Sequence, residues 1–159
     1  MSSENLKFRV WDILLNRYRS PDEDEIFSLT KHGYLAVYRK SNHSYQIANK
    51  EHFIVERCTG FYDSKGTLIY QGDIIERYDS SFNPPEHIFR RAVFFNTSYA
   101  CFYELFPGAK VRHPLDAYTA VTGKVVGNIN ENVDLLGLET TYGELEARNI
   151  LASIHHKID

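Results

Sequence analysis

Sulfur is scarce in this chain: one Met and two cysteines, Cys58 and Cys101, with no Cys-x-x-Cys spacing. That excludes a disulfide framework and a thiolate metal site, and predicts a reducing compartment with both thiols buried. Long apolar runs are absent too. None reaches the roughly 20 residues a membrane span needs, and the first residues, Met1 to Lys7, lack the basic-then-apolar order of a secretory leader. A cytoplasmic location without membrane contact is expected.

Long blocks of one charge sign are missing. Eighteen basic against 21 acidic residues leave a net −3, spread along the chain, so there is no general electrostatic footprint for nucleic acid or a lipid surface. Internal repeats and low-complexity tracts are lacking, which removes solenoids and propellers. No Gly-rich phosphate loop, serine nucleophile elbow or kinase signature occurs, so no catalytic residue and no cofactor is expected. The seven histidines, including His155-His156, show no metal-ligand spacing.

Aromatics, by contrast, are abundant: ten Phe, eleven Tyr and one Trp, accompanied by many Val, Ile and Thr. Such residues suit pleated, half-buried surfaces. A chain of 159 residues can also bury a core of its own, roughly 70% of the surface of its unfolded form. The expected fold is mainly β, a β-rich α+β arrangement.

Along the chain, Leu6, Phe8 and Val10 alternate with Lys7, Arg9 and Trp11, the period of a strand with one buried face that ends near Asp12. Ser20-Pro21-Asp22-Glu23 has a cap residue, a first-turn proline and a carboxylate three positions on, as helix starts do. Beyond it, residues 26–30 and 34–38 flank Lys31-His32-Gly33, where a hairpin competes with a helix continuing to Gly33; the hairpin is favoured. Further strands are expected at 53–58, 74–78, 89–96, 98–106 and 121–129, with Ser80 to Pro85 as the most loop-like stretch. A short helical or 3₁₀ turn covers Val133 to Leu136, capped by Glu131-Asn132. From Tyr142, Ala147, Ile150, Leu151, Ile154 and Ile158 recur at helical spacing as an amphipathic C-terminal helix.

Three segments in order carry a resemblance. They are Lys7-Phe8-Arg9-Val10-Trp11-Asp12, then residues 59–75, which contain Thr59-Gly60, Asp63, Gly66 and Ile69-Tyr70-Gln71-Gly72-Asp73-Ile74, then residues 126–136, which contain Gly127-Asn128-Ile129 and Glu131-Asn132. The middle one is the most specific. Together they resemble the YopX family, small proteins encoded by bacteriophages, prophages and mobile elements of bacteria. Phe61, Gln71 and Val133 depart from the family's usual Leu, Glu and Pro. The resemblance implies a mixed N-terminal part followed by an SH3-like small barrel over residues 1–138 and no catalytic residues to carry over; the helical extension over 139–159 lies outside it and rests on the apolar spacing alone. Its residues also make physical sense as structure. Gly66 and Gly72 permit tight bends, and Asp63 and Asp73 can accept hydrogen bonds from nearby backbone amides.

One constellation resembles a binding face. Arg90 and Arg91 lie beside Phe89, Phe94 and Phe95, with Arg57, Arg77 and Trp11 on other strands, as basic grooves with stacking platforms require. Asp22 to Glu25 reads instead as a solvated helix start. The leading functional expectation is a non-enzymatic binding or assembly module that self-associates through its apolar tail. The alternative is a nucleic-acid-binding accessory protein using Trp11, Arg57, Arg77, Arg90 and Arg91.

Overall fold

Alternating apolar and polar residues between Glu25 and Ile47 produce a three-stranded meander rather than a helix. In the computed structural model, which describes residues 8–20, 24–78 and 88–157, two compact units divide the chain at Glu56 and Arg57.

The first unit begins with β1 (Phe8–Asp12) and β2 (Arg17–Tyr18), an antiparallel pair in which Trp11 faces Tyr18. The turn between them is fixed locally. Asn16 takes a positive φ of 52°, and the Asp12 carboxylate accepts from the Leu15 amide at 2.9 Å. Val10, Trp11 and Asp12 are all buried, so the expected alternation fails at the end of β1. The cause is pairing on both faces: Trp11 meets Tyr18 edge-on at 4.9 Å, while Asp12 is held by Arg19 at 3.2 Å. The meander is β3 (Glu25–Leu29), β4 (Leu35–Arg39) and β5 (Ser44–Ile47). β4 runs between the other two and buries Leu35, Ala36 and Val37. The β3–β4 turn uses Gly33 at φ 82°, which settles the hairpin against a helix reaching that glycine. The expected helix start lies mostly at 21–23, outside the described residues.

β6 (Phe53–Tyr62) runs through the division into the second unit, where its later residues pair with β7 (Leu68–Tyr70). Then follow β8 (Asp73–Tyr78), β9 (Ile88–Asn96), β10 (Cys101–Leu105), β11 (His113–Pro114), α1 (Ala117–Val121) and β12 (Lys124–Asn128). The sheet order β11-β10-β9-β8-β12 is a four-strand meander whose fifth strand, after one helical turn, returns to the free side of the first. That is the connectivity of an SH3-like barrel, here a sheet curled into a half-barrel. Ile69, Ile75, Val93, Leu115 and Ala120 form its core, with Phe61, Phe102 and Val125 packed around them.

The strand expected over 121–129 is shorter than its pattern. Asp116 caps α1 in a reciprocal capping box with Thr119, and this local chemistry takes Val121 into the helix before the strand opens at Lys124. The loop expected at Ser80 to Pro85 lies outside the described residues. Cys58 is half-buried, but Cys101 is exposed, contrary to the expectation of two buried thiols, because it opens β10 beside the positive-φ Ala100 of the hairpin turn.

After β12 come the 3₁₀ turn Val133–Leu136, α2 (Leu138–Tyr142) and α3 (Glu144–Lys157). Asn132 stands at the cap position of the 3₁₀ turn without a capping bond from its side chain; its Oδ1 accepts from the Asn128 amide at 3.2 Å instead. The tail docks within its own unit. Tyr142 meets Phe106 with ring centroids 6.0 Å apart, Ala147 is buried, and Ile150 and Tyr142 close around Gly108. Among the described residues no helix is long and apolar enough to cross a membrane.

Candidate binding groove beside β9

The glycines and aspartates of the middle segment build the scaffold. Asp63 Oδ1 accepts from the amides of Lys65 and Thr67, both at 2.8 Å, and its Oδ2 accepts from Val125 N at 2.8 Å, tying the turn to β12. Burial pushes the Asp63 carboxyl up, and the amides of Val125, Thr67 and Lys65 outweigh it, leaving a net lowering. Asp73 accepts from Tyr70 N at 2.8 Å and from the Asn128 amide group at 3.4 Å. Thr59 Oγ1 donates to the Ile69 carbonyl, and Gly72 both donates to Val93 O and accepts from Ile129 N. A Cβ on Gly127 would stand 2.7 Å from Asn132 Oδ1 and 2.8 Å from Leu135 Cδ1, so this glycine is set by close approach. Of the remaining motif residues, Gly60 and Gly66 take positive φ, and Ile74 and Ile129 are buried. Glu131 donates its amide to Asn128 O, and Phe8 lines a cavity of the first unit.

Of the five members of the expected nucleic-acid face, four lie in the second unit, and each has its own surroundings. Trp11 belongs to the first unit and is buried, with no ring face left for a base. Arg77 is buried in a bidentate pair with Glu104, its Nη2 lying 2.6 Å from Oε1, and it also donates to Thr119 O and to Thr122 Oγ1 at 3.1 Å. Arg57 lies over the Phe95 ring, 4.9 Å from its centroid. Arg90 and Arg91 are neighbours on a strand and so project to opposite faces of the sheet. Arg90 pairs with Glu76 across the β8–β9 ladder at 2.8 Å and donates to Leu135 O at 3.3 Å. Arg91 lies 4.5 Å over Phe89.

Around the start of β9 a groove of about 430 Å³ opens, lined by Ile88, Phe89, Arg90, Arg91, Phe106, Leu135 and Leu136. Its walls come from β9, the segment after β10 and the 3₁₀ turn. The sequence marked Phe89, Arg90 and Arg91 but missed Phe106, Leu135 and Leu136, which arrive from distant segments. Arg91 lines this groove with its pKa held below the usual arginine value: burial lowers it, Glu104 raises it and Arg77 lowers it. A smaller cavity in the first unit, about 100 Å³, is lined by Val10, Ile26 and Phe27, with Arg19 held by Asp12 and Glu25. Among the described residues no group of three or more His, Cys, Asp or Glu could hold a metal ion.

A family model described as "YopX protein" matches residues 7–137. The chain belongs to the YopX family. Two solved structures share the fold of this YopX relative. Protein yopX from Bacillus subtilis superimposes with a TM-score of 0.53 at 18% identity, covering 82% of this chain and 98% of that one. Protein EF1440 from Enterococcus faecalis gives 0.51 at 19% identity, covering 82% and 96%. No curated protein matches the chain. The YopX match ends just before α2, so the docked tail lies outside it.

Proposed function

We propose that this protein is a non-enzymatic binding module that receives a polypeptide segment carrying apolar side chains in the groove beside β9. The carrying observation is the groove's composition: Ile88, Phe106, Leu135 and Leu136 form an apolar wall of about 430 Å³ with cations at its side. Ile88 is 52% exposed there, an apolar side chain on a concave surface. The nucleic-acid alternative has less support, since Arg77 and Arg90 are already paired with carboxylates, and binding to a phosphate backbone draws on several cations at once.

Selection of a random displayed peptide library on the full chain tests this. Apolar peptides should be enriched, and Ile88→Asp should weaken them about tenfold or more. Enriched peptides that bind Ile88→Asp equally well would refute the groove. The self-association expected from the sequence belongs to the same proposal if a second copy supplies the segment. It would then appear as concentration-dependent sedimentation that Ile88→Asp abolishes. The tail is a weaker basis for it, because Ile150 and Tyr142 are used inside the unit.

A further inference from the structure

We infer that Arg91 anchors a carboxylate of the bound polypeptide, so that the groove selects an acidic side chain set among apolar ones. This rests on the reading of the groove as a peptide site and names its polar determinant.

Arg91, Arg77 and Glu104 share the inner face of the curled sheet, as the pairings Ile75↔Arg91, Arg77↔Phe89 and Glu104↔Val93 require. Arg77 occupies both oxygens of Glu104, so that carboxylate is already satisfied. Arg91 is left as a second cation beside a neutral pair. Among the described residues its side chain makes no hydrogen bond or ion pair within 4 Å, and its guanidinium rests on Phe89. Burial disfavours the Arg91 charge, the nearby Glu104 carboxylate offsets part of that, and Arg77 adds repulsion. An incoming carboxylate would relieve both. A guanidinium stacked on a ring keeps its edge donors available, and two of them match the two oxygens of a carboxylate.

The register also sets His113 opposite Glu104 on the same face. One guanidinium with no hydrogen-bonded acceptor among the described residues fits one carboxylate better than a run of phosphates, and the neighbouring aliphatic walls fit aliphatic side chains better than stacked bases.

The probe is acetyl-Leu-Leu-Asp-Leu-Leu-amide, with its Asn twin and a single-stranded dodecathymidylate as comparisons. Each is titrated into the full chain while the arginine Nε–H resonances are followed by NMR. The Asp peptide should shift the Arg91 signal saturably, and the Asn twin should bind about tenfold more weakly. Arg91→Gln should remove that preference, and Arg91→Lys, which keeps the charge but not the fork, should restore part of it. Equal binding of the two peptides, or a preference that survives in Arg91→Gln, overturns the role of Arg91 while leaving the groove reading intact. Failure of the Asp peptide to move any groove signal at millimolar concentration overturns both. Binding of the oligonucleotide alone overturns both in favour of nucleic acid.

Discussion

Asp63 joins a turn to a distant strand through one carboxylate, receiving three backbone amides at once. Replacing it by Ala should cost about 3 kcal/mol, measured by urea unfolding at pH 7, because the donors lose a charged acceptor. Its folded pKa is depressed, so its contribution is complete above the ordinary carboxylate value of about 3.9 and is lost as pH falls through the folded value. The stability gap between the native chain and Asp63→Asn should therefore narrow in acid; a gap constant down to pH 2 would contradict the assignment. The Arg77–Glu104 pair makes a different demand. Glu104→Gln leaves a buried guanidinium short of its counter-charge and should cost about 3 kcal/mol or more in the same assay. The Asp63 role was legible in sequence, since Asp-x-x-Gly is a local turn grammar. The Arg77–Glu104 pair was not, because its members are 27 residues apart and meet only through strand register. Cys101 was misread for a related reason: an apolar neighbourhood in sequence says nothing about which residue lands at a hairpin tip.

Among elements, the docked tail is held by a gap as much as by contacts. Gly108 sits at φ 88°, and a Cβ there would lie 2.9 Å from Ile150 Cδ1 and 3.0 Å from Tyr142 Cζ. Gly108→Ala should destabilise the chain by about 1–3 kcal/mol. It should also speed proteolysis within α3, whereas an unchanged cleavage rate would mean that the tail is held elsewhere. The β3–β4 hairpin and the 3₁₀ turn were readable because turn glycines and apolar periods agree over short spans. α1 was not, since Tyr118, Val121 and the residues after Thr122 resemble a strand and only the Asp116–Thr119 capping box says otherwise. Thr119→Ala should cost about 1 kcal/mol, a value that thermal melts can resolve.

For the molecule as a whole, the middle and last of the family-level motifs located the curled sheet, because their residues tie its turns to β8 and β12. The division at Glu56 and Arg57 left no mark in the sequence, since a continuous strand crosses it and no Gly- or Pro-rich linker announces it. The groove was only half legible, as its walls are brought together by folding. One feature of the sheet also orders events in time. β12 completes the ladder beside β8, and Val125 pairs with Ile75 only after about fifty intervening residues have been threaded into place. The β8–β9 and β9–β10 hairpins can zip as they leave the ribosome, but the side of β8 that β12 will cover stays open until synthesis has passed Asn128. A growing chain therefore exposes a sticky border through that interval, and a pause in translation near residue 120 would prolong its vulnerability to aggregation.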